Sequence, residues 1–212
     1  MNTLEMALTP LQRRAIRALD TPFKIQQYLD KLPYPAELPY HCPSEAIRRG
    51  KAHCFDGALL GAALLRRIGY PPLIAYLIAD RDDDHLLALY KVEKHWGAVA
   101  KSNCVGLRFR EPVYRTLREL MMSYFEQFFN LHGEKSLRSY TVPLNLSSYD
   151  RRNWMTSNEP LEDIADRLDE LRTMPLISKR MVRRLSAVDK KSYRAGMLGA
   201  NPAGLYRPDK DE

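Results

Sequence analysis

The sequence predicts an α+β domain in which a helix led by a cysteine packs on a small antiparallel sheet, with helices flanking this core on both sides. Three observations carry the prediction. From Cys54, helical steps reach Ala58, Gly61, Ala62, Leu65 and Ile68, a face of small and aliphatic residues that another element can approach closely. Directly after it the pattern changes to short apolar runs of strand length, Leu73–Ala79 and His85–Val92. Helical spacing then returns in the second half of the chain.

Each element has its own signals. Residues 8–31 place Leu8, Leu11, Ala15 and Leu19 on one stripe and Ile25, Tyr28 and Leu29 on a second. Thr21-Pro22 reads as an N-cap followed by proline in the first helical turn, so two short helices are expected, split near Asp20. Leu32 to Pro43 carries too many prolines for regular structure and predicts an extended loop, with a single turn over Ser44–Arg49. The Cys54 helix is stopped by Gly69, by Arg66 and Arg67 in its last turn, and by Pro71-Pro72. Leu73–Ala79 suits a buried strand, His85–Val92 a second and Trp96–Ser102 a third, with a hairpin turn at Glu93-Lys94-His95. Glu111-Pro112 is expected to open a long helix from Val113 to about Leu131. Leu137–Leu146 is expected to form an edge strand, Ser157-Asn158-Glu159-Pro160 to begin a helix reaching about Arg172, and residues 178–192 to form a basic helix. Gly196–Glu212 lacks periodicity and is expected to be a loosely held tail. In domain terms, residues 1–49 belong with the core, 50–150 form it, and 151–212 extend it as a helical, basic segment.

The chain has 212 residues, enough for one domain with a substantial core. It has no apolar run of membrane-spanning length and no signal-peptide core, and its three cysteines are odd in number and too few for a disulfide framework. These features predict a cytoplasmic protein with no membrane association. The formal charge of +7 is concentrated at one end. From Met174 onward nine Lys and Arg stand against four acids, so the body is nearly neutral. Such a segment holds nucleic acid or another anionic partner in some proteins, but a solvated helix face is the blander explanation.

Cys54 is the candidate nucleophile. A thiol at a helix N-terminus faces free backbone N–H groups and positive partial charge, which favour the thiolate. Buried cysteines elsewhere usually act as small hydrophobes, so the assignment needs a base. His85, at the start of the second following strand, supplies one in a chain with only five histidines. His53 adjoins Cys54 in sequence and is expected to face elsewhere.

This order of elements resembles the transglutaminase-like cysteine-protease superfamily over roughly residues 50–104. Ala52-His53-Cys54 with the helix behind it is similar to the family's nucleophile element, Asp84-His85-Leu86-Leu87 to its histidine strand, and Trp96-Gly97-Ala98-Val99-Ala100 to its third strand. The resemblance implies a cysteine hydrolase or acyltransferase acting on an amide or peptide bond, with a peptide, protein or small amide as substrate. Where the family's aspartate is expected this chain has Ala100, leaving Asn103, or alternatively Ser102, to orient the histidine, with Asp80 a remoter option. The departure also permits a catalytically inactive binding protein whose basic C-terminal region engages nucleic acid. No cofactor is implied. His41-Cys42 and His53-Cys54 suggest zinc by ligand type, but neither pair has structural-zinc spacing, and Asp82-Asp83-Asp84 lacks the spacing of a calcium loop, so no metal is expected.

Overall fold

The computed structural model describes residues 3–37 and 40–207. Five helices precede the sheet: α1 (Thr3–Met6), α2 (Pro10–Arg17), α3 (Pro22–Lys31), α4 (Pro43–Arg49) and α5 (Cys54–Arg67). The strands are β1 (Leu73–Ala79), β2 (His85–Val92), β3 (His95–Val99), β4 (Arg110–Tyr114), β5 (Leu137–Thr141), β6 (Leu144–Asn145) and β7 (Thr173–Pro175). Helix α6 (Leu117–Met122) follows β4, α7 (Glu162–Asp169) precedes β7, and α8 (Lys179–Val182) and α9 (Lys190–Gly196) come after it. The strands form one sheet ordered β4-β3-β2-β1-β5-β7, with β6 also pairing β1 and every pairing antiparallel. The architecture is therefore α+β.

Two apolar cores lie on the two faces of the sheet. One is built around α5, which is buried from Cys54 through Leu65, as expected of a helix apolar all round. Gly61 lets it ride close on the strands, since a Cβ there would meet the side chains of Val99 and Ala88 at 3.0 and 3.2 Å. The other core packs Leu77, Leu87, Leu89 and Ala98 under Leu120, Met121, Tyr124 and Phe128. Side chains at the end of β3 and just after it alternate between these cores, Val99 in the first and Ala98 and Ala100 in the second.

The N-terminal helices divide where Thr21 caps α3, its hydroxyl accepting the Lys24 N–H at 3.2 Å. Ile16, not Leu11, is the buried residue of α2, and Leu11 and Ala15 stay exposed. The turn joining β2 to β3 takes positive φ at both Glu93 and Lys94, the geometry that matches strand twist in a two-residue hairpin.

The expected helix over Val113–Leu131 is instead β4, the short α6 and a 3₁₀ turn at Phe125–Gln127. Pro112 is tolerated in β4 because that strand is the outer edge of the sheet. Thr116 then starts α6 by accepting the Glu119 N–H at 3.1 Å. The expected edge strand over Leu137–Leu146 is interior: β5 lies between β1 and β7, and Pro143 falls in the break before β6. The actual edge is β7, which carries Pro175. Ser157 closes a local turn with Glu159 rather than capping a helix, so α7 begins only at Glu162. Asp189 accepts the N–H groups of Lys191 and Ser192 and starts a fresh helix, which divides the expected basic helix into α8 and α9.

The segment read as an extension is integral to the fold. Trp154 is fully buried beside α5, its indole N–H donating to Asp150 at 3.1 Å, and Asp150 also pairs with Arg66 at the end of α5. Ile164 and Leu168 of α7 join the same core.

Candidate active site

Cys54 is the first residue of α5, and His53 is its N-cap in extended conformation. The entry of the chain is fixed by Asp56, a buried carboxylate in the first turn. It accepts the backbone N–H of His41 at 2.9 Å and of His53 at 3.4 Å. The His41 ring lies between this carboxylate and the guanidinium of Arg49. Cys42 is buried and its sulfur sits 3.2 Å from the Ser44 hydroxyl. The two His-Cys pairs thus serve different surroundings. Among the described residues no group of three or more His, Cys, Asp or Glu side chains is arranged to hold a metal ion.

His85 opens β2 and is buried, at 4 % exposure. It lines the same small cavity as Cys54, a space of about 60 Å³ whose walls include Tyr34, Cys104 and Phe128. The Nε2 of His85 is 2.7 Å from the Leu107 carbonyl oxygen, to which it donates, and its Nδ1 has no hydrogen bond among the described residues. Phe128 meets the ring edge to face. A backbone carbonyl therefore stands where a side-chain partner was expected.

Asn103 and Ser102 also line this cavity, but their polar atoms are engaged elsewhere. Asn103 donates to the carbonyls of Asn201 at 2.9 Å and Gly204 at 3.1 Å, and accepts the Asn201 N–H at 2.8 Å. Ser102 accepts the Cys104 N–H at 3.0 Å. Asp80 pairs with Arg138 and is not part of the cavity wall. Ala100, at the position where a carboxylate was expected, has both backbone groups bound by the buried amide of Gln26, each at 2.9 Å, and its side chain sits in the second core.

His53 corrects the expectation drawn from its adjacency to Cys54. Its Nδ1 is 3.3 Å from the Cys54 sulfur, because an N-cap side chain folds back over the helix entrance. Burial pushes this imidazole below its ordinary range, against the opposing pull of Asp56 and Asp83. The Tyr34 ring packs on His53 with centroids 4.8 Å apart. Burial and then the neighbouring Cys54 thiol push its phenol far up, so Tyr34 stays protonated.

The turn between β1 and β2 presents Asp82, Asp83 and Asp84 to the same cavity. Burial raises all three carboxyls, with Ser136 opposing at Asp82, His53 at Asp83 and the Ala79 N–H at Asp84. Cys104 is pushed up to about 11 by burial and by Asp82 and Asp83. The last segment of the described chain, read as a loose tail, closes the cavity with Gly204 and Leu205 and is tied by Asn103 and by Asn201, whose amide donates to the Tyr34 carbonyl at 2.9 Å. A space of this size admits a few waters and not a peptide, so an amide substrate requires that the segment move.

No family model matches the chain, and no curated protein matches it. Among the described residues no helix is long and apolar enough to cross a membrane.

Proposed function

We propose that this protein is a transglutaminase-like cysteine hydrolase or acyltransferase acting on an amide or peptide bond through Cys54 and His85. The observation that carries the reading is that the first residue of the buried helix and the first residue of β2 line one cavity, with the histidine's far nitrogen already held by Leu107. In this mechanism His85 Nδ1 takes the thiol proton, and the Cys54 sulfur attacks the carbonyl carbon. The Cys54 N–H, at the helix entrance, donates to the developing oxyanion. A second donor is assigned to the loop Pro39-Tyr40-His41, of which Pro39 lies outside the described residues; Tyr40 and His41 lie within them, and the His41 N–H is already taken by Asp56. The imidazolium returns its proton to the leaving amine, leaving a thioester. Water then releases an acid, or an amine releases a new amide, and Cys54 recovers its proton.

The test is alkylation by iodoacetamide at mildly acidic pH, with the modified cysteine located by peptide mapping. Labelling is expected at Cys54 and is lost in Cys54→Ala. Unchanged labelling in that variant would falsify the assignment, because Cys42 or Cys104 would then be the reactive thiol.

A second reading has one observation in its favour. Lys179, Arg180, Arg183, Arg184, Lys190, Lys191 and Arg194 are all exposed and form no ion pair among the described residues. A binding protein using this face gives a salt-dependent gel shift with RNA that is lost when all seven are changed to Gln.

A further inference from the structure

Beside the Cys54 cavity lies a larger one of about 290 Å³, and Tyr34, Ser102, Asn103 and Cys104 line both. Its wall contains a group that the proposed chemistry does not use. Lys101 is 5 % exposed as a residue, and its ammonium has no hydrogen bond or ion pair among the described residues. Its stem is buried while the nitrogen reaches the cavity, the arrangement by which a lysine presents its charge to a pocket. Lys101 is also held firmly in place. Gln26 fixes the backbone of Ala100 just before it, and Gly57 of α5 lets its stem pass so closely that a Cβ at that glycine would stand 2.1 Å from the Lys101 Cβ.

The surroundings define what the ammonium is waiting for. Arg108 also lines this cavity and carries a second positive charge. The one acid there, Asp30, is 3.4 Å from Arg108 and already accepts the Gln26 amide at 2.8 Å. Burial, with Arg108 adding to it, holds the Lys101 ammonium below its ordinary range, and Asp30 offsets this only in part. Two cations against one acid leave a single uncompensated positive charge in the cavity wall. Lys31, exposed at the rim, adds a screened one. That balance suits a singly charged anion better than a doubly charged phosphate. Arg108 donates its Nε to the Val105 carbonyl at 3.1 Å and its Nη1 lies against Asp30, so it adds positive charge, with Nη2 left to meet a carboxylate oxygen.

We propose that Lys101 and Arg108 form a carboxylate-binding subsite. Resting on the cysteine-hydrolase reading, the subsite assigns the substrate class: an amide that bears a carboxylate a short distance from the bond cleaved, as an acidic side chain or a chain terminus does. Because the two cavities share walls, a substrate anchored at Lys101 extends past Tyr34 and Ser102 toward Cys54.

The test is calorimetric titration of the full chain with butyrate, a singly charged carboxylate, with its neutral amide butyramide and with inorganic phosphate as comparisons. Butyrate is expected to bind saturably and butyramide not at all. Lys101→Met, which preserves the stem, is expected to weaken butyrate roughly tenfold or more. Arg108→Gln, at a half-exposed position, is expected to weaken it by a smaller factor. Cys54→Ala is expected to bind butyrate as the natural chain does, so a silent thiol with intact butyrate binding removes only the catalytic reading. The subsite is overturned if butyrate fails to saturate, if butyramide binds equally, or if both cation variants bind unchanged. Tighter binding of phosphate than of butyrate overturns the carboxylate assignment.

Discussion

The Nε2 of His85 stands 2.7 Å from the carbonyl oxygen of Leu107, which gives this imidazole a fixed tautomer without any carboxylate or amide side chain. Leu107 belongs to a 3₁₀ turn, Val105–Leu107, that follows the end of β3 and lies beyond the residues 50–104 of the family resemblance. A carbonyl accepts the N–H and sets the ring, but it stabilises an imidazolium less than a carboxylate does.

Two imidazoles stand at the Cys54 cavity, and their roles are separable. His53 touches the sulfur but is held neutral by burial, whereas His85 is oriented and its Nδ1 has no hydrogen bond among the described residues. His85→Gln keeps a donor for the Leu107 carbonyl while removing the base. It is expected to slow iodoacetamide labelling of Cys54 at mildly acidic pH by roughly tenfold or more, with His53→Ala changing it by less than about threefold. The reverse ranking transfers the base to His53.

Cys104 provides an internal reference. With its thiol pushed up to about 11, it carries roughly a hundredfold less thiolate at neutral pH than an ordinary cysteine. Its alkylation rate is therefore expected to be negligible at neutrality and to climb through alkaline pH. Asp83→Asn removes one of the two carboxylates that raise it and is expected to shift that climb to lower pH. Rapid neutral-pH labelling of Cys104 contradicts the burial described for it.

What the sequence made legible follows from how locally each signal acts. Helix α5 and strands β1 to β3 could be read because caps, glycine stops and periodicity are carried by the residues of each element themselves. The stretch after Pro112 could not: Val113, Leu117, Leu120 and Met121 have helical spacing, but pairing of Trp96 with Tyr114 and of Ala98 with Arg110 draws the first part into the sheet edge. The site divides in the same way. Cys54 and His85 stand at element starts, positions that caps and a change of period mark in the sequence, and both line one cavity. The contact of His53 depends on N-cap geometry, and Leu107 acts through its backbone, for which no residue type is a sign. Asn103 is chemically able to orient a histidine but is committed to Asn201 and Gly204, 98 and 101 positions away, a contact that no local pattern announces.

Asp82 makes the stability of the fold pH-dependent in a stated direction. Burial raises its carboxyl above the unfolded value, Ser136 and the Asp83 N–H oppose, and Asp84 adds to the rise. A carboxyl raised in the native state favours folding below the unfolded value, and that contribution is lost as pH rises through the raised one. Asp82→Asn does not titrate and keeps an acceptor for the Asp83 N–H. Its unfolding free energy relative to the natural chain is expected to rise between about pH 4 and about pH 7. Urea denaturation at several pH values measures this, and a difference that stays flat or falls contradicts it.

Gln26 joins α3 to the end of β3 by satisfying both backbone groups of Ala100. Gln26→Leu fills the space but strands a buried N–H and a buried C=O. The expected loss is about 2–5 kcal/mol, read as a lower urea midpoint with an unchanged slope. A loss below about 1 kcal/mol means that the chain after β3 is held by other contacts.

The segment from Leu198 to Leu205 contributes Gly204 and Leu205 to the Cys54 cavity and is held largely through one side chain. Asn103 makes three hydrogen bonds to Asn201 and Gly204; removing them leaves the Asn201 amide on the Tyr34 carbonyl and the backbone bonds of Leu198 to Ala195 and of Ala200 to Met197. Surface segments with few contacts open at little free-energy cost, so Asn103→Ala is expected to change global stability by no more than about 1 kcal/mol. Its effect appears locally: faster hydrogen exchange over residues 198–205, and roughly tenfold faster alkylation of Cys54, a residue now 7 % exposed in a cavity that Gly204 and Leu205 also line. Lys101→Met serves as the control, because it empties the neighbouring subsite without touching these three bonds. If residues 198–205 exchange faster in Asn103→Ala while Cys54 is alkylated at its original rate, the thiol is shielded by Tyr34 and His53 rather than by the C-terminal segment.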